Sequence, residues 1–232
     1  MAARLVLLPG LICDRRIFSG QLERFDAHVV NGFGLHAGIP EMAGYVLRHA
    51  PTRMSLLGHS MGARVALEIY RAAPERVERL ALVSTGVHPV KPGEAEKRFS
   101  LRDLGRKHGT AALVEEWVPP MVSATSRGDK ALMDRLRAMC MDAGVDAFEA
   151  QITALLNRPE VEYLLPTINV PVLVSTGELD IWSPPAQHEM IAAAVPQALL
   201  RIIKNAGHML PVEAPEALND AIAEWLLLPK RD

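Results

Sequence analysis

The sequence predicts an α/β protein: a mostly parallel sheet of about six strands, flanked by helices and carrying a small helical insertion. Three observations predict it. Short apolar runs alternate with longer amphipathic stretches, several runs stop at Gly or Pro turn signals, and one long segment has helical periodicity alone. The 232 residues suit one compact domain. With 49% apolar and 22% charged residues, they can fill a core and still line a pocket.

Residues 4–8 form the first expected strand, stopped by Pro9-Gly10, and residues 27–31 the second, ending before Gly32-Phe-Gly34. Residues 41–50 read as a helix with Met42, Tyr45, Val46 and His49 at helical spacing. A third strand over 54–57 runs directly into Gly58-His-Ser-Met-Gly62, and a helix over 63–73 follows, ended by Pro74. Strands over 80–84, 172–175 and 199–203 complete the sheet. Helices are expected over 185–194 and over 215–228, where Leu218, Ile222 and Trp225 share a face. Such uninterrupted apolar strands imply burial on both faces.

Between the fourth and fifth strands, about residues 88–166, the repeat is helical only, as in Ala131, Leu132, Arg135, Leu136 and Met139. The segment far exceeds an ordinary connection of about 2–6 residues. The expected organisation is therefore a core of residues 1–87 and 167–232 with a helical cap over 88–166.

A net charge of −2 and no run of Lys or Arg leave no electrostatic footprint for nucleic acid or an anionic membrane. The apolar stretch Leu5–Leu8 is too short for a secretory signal, and no stretch approaches the about 20 residues that span a bilayer. Cys13 and Cys140 have no metal or redox spacing and read as reduced, partly buried thiols of a cytoplasmic protein. His28, His36, His49, His88 and His108 show no metal-ligand spacing, so no metal or organic cofactor is expected. The oligomeric state stays open.

Gly58-His59-Ser60-Met61-Gly62 is a G-x-S-x-G element between a strand and a helix. A nucleophilic serine needs a sharp turn that lifts its Oγ clear of the sheet, and the two glycines let strand and helix approach without a Cβ clash. The alternative, a phosphate-binding turn, lacks both G-x-G-x-x-G and G-x-x-x-x-G-K-[ST]. A serine also needs a base and an orienting acid. The strand at 172–175 runs into a loop with Glu178 and Asp180, and the strand at 199–203 leads to Gly207-His208. Both loops sit at carboxyl ends of parallel strands, where such sheets place their sites.

Over essentially its whole length the chain resembles the α/β-hydrolase superfamily. Leu7-Leu-Pro-Gly10, Gly58-His-Ser-Met-Gly62, Gly177-Glu-Leu-Asp180 and Gly207-His208 stand where that family has its oxyanion loop, elbow, acid and base. The resemblance implies an α/β-hydrolase fold with Ser60 as nucleophile, His208 as base and Asp180, rather than Glu178, as acid. It also implies an oxyanion hole from the Leu11 and Met61 backbone N–H groups. Two departures stand out: Pro9-Gly10 replaces the frequent His-Gly, and the family's first antiparallel hairpin is missing.

The implied activity is that of a carboxylesterase acting on a small-molecule acyl substrate. Thioester, lactone or C–C bond hydrolysis, acyl transfer and cofactor-free perhydrolysis use the same triad and stay open, as does a ligand-binding receptor of the same fold. Trp117 and Met121, with Met133, Met139, Met141 and Phe148, read either as cap packing or as the ceiling of an acyl pocket. Trp182 either lines the site or packs its loop. Arg158 reads as a surface charge, with pairing to a substrate carboxylate as the alternative. His59 is expected to be a core histidine aimed away from Ser60, His188 a surface or packing residue, and Asp14 a turn or helix cap.

Overall fold

The strand β1 (Arg4–Leu8) sits between β2 (Ala27–Val29) and β3 (Met54–His59), and β4 (Val77–Val83), β5 (Val172–Gly177) and β6 (Leu199–Ile203) continue the sheet outward. This is a computed structural model, and it describes residues 3–230; residues 1, 2, 231 and 232 of the expected core lie outside the described residues. The order is β2-β1-β3-β4-β5-β6, and all five pairings are parallel, so every strand ends at the same edge. Every residue of β3 and β5 is buried, which places apolar cover on both faces. The edge strands differ from expectation. β2 and most of β6 are only half-buried, because an edge strand has one neighbour and less helix above it.

The central strands also run longer than the apolar runs suggest. The β3–β4 ladder continues through Gly58–Leu82 and His59–Val83, polar and glycine residues that apolar patterning passes over. The helices α1 (Ser19–Arg24), α2 (Ile39–His49) and α3 (Met61–Ala72) follow β1, β2 and β3. α3 is buried without interruption from Met61 to Tyr70, including the charged Arg64 and Glu68.

Between β4 and β5 stand α4 (Glu94–His108), α5 (Thr110–Trp117) and α6 (Lys130–Leu156). Asp129 caps α6 by accepting from the Leu132 N–H, and Gly144, at φ +79°, breaks its direction. Leu113, Trp117, Leu136, Met139, Phe148 and Ile152 turn inward and join the main core. Met141 does not; it is exposed, which corrects its reading as a core or ceiling residue.

Beyond β5 come α7 (Pro185–Ala194), the short α8 (Leu210–Glu213) and α9 (Pro215–Leu227). Trp225 of α9 is fully buried and its indole N–H donates to the Pro171 carbonyl at 3.0 Å, locking α9 beside the start of β5. Losing such a ring costs about 3–5 kcal/mol. Among the described residues, no helix is long and apolar enough to cross a membrane.

Candidate active site

Ser60 follows β3 directly and starts α3 at φ +54° and ψ −115°, a backbone strain typical of functional turns. Its surroundings leave no choice of neighbour. A Cβ on Gly58 would lie 2.3 Å from the Ala63 Cα, and one on Gly62 would lie 2.1 Å from the Leu8 carbonyl oxygen. The Ser60 N–H donates to the Val83 carbonyl at 2.8 Å, and the Thr85 hydroxyl donates to the Ser60 carbonyl at 3.0 Å. The elbow is thus fixed from β4 on one side and by helix packing on the other.

Three groups from three strand ends meet there. His208 Nε2 lies 2.9 Å from Ser60 Oγ, and His208 Nδ1 lies 2.8 Å from Asp180 Oδ2. A carboxylate only accepts, so Nδ1 carries the hydrogen and Nε2 of the neutral ring is free to accept from the serine. Asp180 Oδ1 accepts the N–H groups of Trp182 and Ser183 at 2.9 and 2.8 Å, and the Thr176 hydroxyl lies 3.1 Å from Oδ2. Burial works to raise the Asp180 carboxyl, but the His208 ring and these N–H donors outweigh it and hold the group below its ordinary value. Glu178, the rival acid, points elsewhere: it is exposed and its carboxylate lies 3.4 Å from the Asn205 N–H.

The imidazole is anchored through its own backbone. The His208 and Met209 N–H groups both donate to the Met121 carbonyl, at 2.9 and 3.2 Å. Glu213 accepts from three amides: Gly207 at 3.0 Å, Met209 at 3.0 Å and Ser123 at 2.8 Å. His59 is fully buried, and its Nε2–H donates to the His208 carbonyl at 2.9 Å, the hydrogen-bonded core position expected of it. Burial first, and the neighbouring His208 second, push the His59 pKa down to about 3. His188 is also buried rather than superficial. Its Nε2 accepts the Thr85 N–H at 3.0 Å, and burial lowers its pKa to about 4.

The loop after β1 turns tightly, with the Cys13 N–H donating to the Gly10 carbonyl at 3.1 Å and Ile12 at φ +46°. Gln151 of α6 reaches this loop: its Oε1 accepts the Ile12 N–H at 2.7 Å and its Nε2 donates to the Gly34 carbonyl at 2.9 Å. Leu11 and Met61 both line the cavity above Ser60. Asp14 caps the short 3-10 turn of residues 15–18 by accepting the Arg16 N–H.

That cavity measures about 390 Å³, within the range of small-molecule sites. Trp117, Met121, Trp182 and Arg158 all stand in its wall, with Phe148 and Leu155 among the apolar lining. The Trp182 indole N–H donates to the Pro120 carbonyl at 3.1 Å, so it both lines the site and ties the Asp180 loop to the helical segment. Arg158 is not the surface charge expected of it. Its side chain is 3% exposed and makes a two-pronged pair with Glu94 at 2.6 and 2.8 Å, because the chain returns to the sheet beneath α4. Arg64, one turn into α3, also lines the cavity. Burial, and then the charge of Arg158, bring its guanidinium down to about 9.

Cys13 and Cys140 are free and buried, and burial raises both thiols, Cys140 to about 12. Among the described residues, no group of three or more His, Cys, Asp or Glu side chains is placed to hold a metal ion.

Arg64, Glu213, Gln151 and the supporting role of His188 escape sequence reasoning. Only Arg64 leaves a signal, four residues after Ser60 on the same helix. The partners of the others lie in different elements, and no local pattern joins them.

A parallel sheet that presents a serine elbow, a histidine and an aspartate at one carboxyl edge defines the architecture of the α/β hydrolases. A model of the Alpha/beta hydrolase family matches residues 5–221, and the chain belongs to that family. A provisionally named 2-succinyl-6-hydroxy-2,4-cyclohexadiene-1-carboxylate synthase from Bacillus subtilis (strain 168) is 28% identical over 181 residues, covering 75% of this chain and 66% of that one. A carboxylesterase from the same organism is 27% identical over 183 residues, 74% of this chain and 56% of the relative. The match thus spans just under two thirds and little more than half of these relatives' own lengths. Among solved structures, a thermophilic esterase from Thermogutta terrifontis, studied with malate bound, superposes with a TM-score of 0.88. It is 28% identical, and the match covers 97% of this chain and 90% of that one.

Proposed function

We propose that the protein is a serine carboxylesterase of small molecules, with Ser60 as nucleophile, His208 as general base and Asp180 as orienting acid. The observation that carries this reading is the unbroken path from Ser60 Oγ through His208 to Asp180, with links of 2.9 and 2.8 Å, opening into a largely apolar cavity. Similarity to the Thermogutta esterase over nearly the whole chain supports the choice of an ester.

Ser60 Oγ attacks the ester carbonyl as its proton passes to His208 Nε2. Leu11 and Met61 N–H groups receive the oxyanion, each donor worth roughly 3–4 kcal/mol. Collapse of this intermediate breaks the ester C–O bond, and His208 gives its proton to the leaving alkoxide. Water then attacks the acyl-enzyme, losing a proton to His208, and the acid leaves as Ser60 Oγ regains its proton. Asp180 holds the ring tautomer and balances the imidazolium charge throughout. The residues between β4 and β5 serve as a cap, with Trp117 and Met121 above the acyl group and Trp182 and Arg158 in the wall. Neither metal nor organic cofactor enters these steps, and free buried thiols suit a cytoplasmic setting.

Replacing Ser60 with Ala tests the assignment. The variant is expected to retain its fold by circular dichroism and to lose nitrophenol release from a short-chain ester, along with labelling by a fluorophosphonate. Unchanged turnover in Ser60→Ala sinks the reading.

A further inference from the structure

One wall of the cavity is built for charge. Arg64, Arg98 and Arg158 all line it, and Glu94 is the single carboxylate among the cavity's residues. Glu94 is fully engaged: both its oxygens pair with Arg158, and Oε1 also accepts from Arg98 at 2.9 and 3.0 Å. Arg158 is likewise engaged, donating to Glu94 and to the carbonyls of Leu155 and Pro89 at 2.8 and 2.9 Å. Three guanidiniums against one carboxylate leave two positive charges in excess, and Lys91 and Lys97 add more near the rim.

Arg64 holds one of them, and among the described residues it has no ion pair. It is 6% exposed, its Nη2 donates to the His88 carbonyl at 2.7 Å, and its Nη1 is buried with no hydrogen-bond partner. A buried guanidinium with an idle N–H edge is costly unless something pairs with it. Its place is informative. Arg64 lies four residues beyond Ser60 on α3, roughly 6 Å along the helix axis from the nucleophile. A group that pairs with Arg64 while its carbonyl sits on Ser60 therefore lies only a few bonds from that carbonyl.

We infer that Arg64, in the Arg98–Glu94–Arg158 wall, forms a subsite for a carboxylate on the acyl portion of the substrate, making half-esters of short dicarboxylic acids the favoured substrate class. The planar fork of a guanidinium matches a carboxylate in geometry as well as charge. Arg158 and Glu94 act behind it, holding the wall in place, and Glu94 spends its hydrogen bonds on Arg158 and Arg98 rather than on Arg64. This inference rests on the serine-esterase reading above and deepens it.

The test compares mono-4-nitrophenyl adipate with 4-nitrophenyl hexanoate, equal in acyl chain length and differing in the terminal charge. The native enzyme is expected to favour the charged ester in kcat/KM by roughly tenfold or more, the scale of a buried polar group left unpaired by the wrong substrate. In Arg64→Met that ratio is expected to fall by about the same factor, mainly through KM, and Arg64→Lys is expected to restore part of it. A merely structural arginine would lower both rates and leave the ratio where it was, which overturns the subsite. Should Arg64→Met fail to fold, inhibition of native hexanoate hydrolysis decides: glutarate is expected to compete at least tenfold better than 1,5-pentanediol. Equal inhibition overturns the subsite. If hexanoate is hydrolysed and Ser60 is labelled by a fluorophosphonate but no charge preference exists, the subsite alone is wrong. If Ser60 is not labelled and neither ester is cleaved, the esterase reading falls with it.

Discussion

Glu213 is not among the residues that line the cavity, yet the geometry makes it a positioning residue for His208. Its Oε2 accepts the Ser123 and Gly207 N–H groups, and its Oε1 accepts that of Met209. Replacing it with Gln keeps the shape but exchanges one oxygen for an NH2 group. Whichever way the amide turns, a donor faces a donor, and the least harmful choice leaves the amide against Met209. That N–H retains the Met121 carbonyl at 3.2 Å as a second acceptor, so the loss sits near the low end for an unsatisfied group, about 1–2 kcal/mol. For a chain of this length such a loss lowers Tm by about 2–8 °C. Gly207 and Met209 flank His208, so the imidazole shifts with its backbone. Sub-ångström misplacement of a catalytic group is expected to lower kcat by roughly tenfold, with KM little changed. Thermal melts and the initial rate of fluorophosphonate labelling measure the two effects separately. A Glu213→Gln enzyme with native Tm and native labelling rate would refute the argument, because then the carboxylate does not hold this loop.

Other consequences are open to direct measurement. Asp180→Asn turns an NH2 group toward His208 or toward the Trp182 and Ser183 amides; kcat is expected to fall on the order of 10⁴-fold while circular dichroism stays native. Gly62→Ala places a methyl 2.1 Å from the Leu8 carbonyl oxygen, backbone against backbone, and is expected to yield little folded protein; a native melting curve would contradict it. His59 and His188 hold folded pKa values of about 3 and about 4, below the ordinary 6.5. Between those limits the unfolded chain binds more protons, so stability is full above about pH 6.5 and declines as pH falls, by up to about 1.4 kcal/mol per pH unit for each histidine. Asp180, with its depressed carboxyl, adds loss only below the ordinary aspartate range. Urea midpoints that stay level from pH 7 to pH 5 would exclude the histidine contribution.

Much of this protein is written locally. Alternating strand and helix signals determine a parallel sheet, because each apolar run must be covered by the helix that follows it. Gly58 and Gly62 announce the elbow, since only residues without a Cβ survive the approach of Ala63 and Leu8. Strand ends at Gly177 and Ile203 announce where an acid and a base emerge. The same local reading erred where partners come from afar. Nothing near Arg158 reveals that Glu94, 64 residues away, draws it inward, and nothing near Arg64 reveals that its helix is buried on every side. Asp180 rather than Glu178, a preference legible in sequence only through family resemblance, stands 2.8 Å from the ring of His208, 28 residues on. Sequence therefore determined which chemical groups stand at the edge of the sheet, because backbone sterics and periodicity act within a few residues. Tertiary structure alone decided which charges are paired and which are left facing the cavity, because pairing depends on who arrives from the other end of the chain.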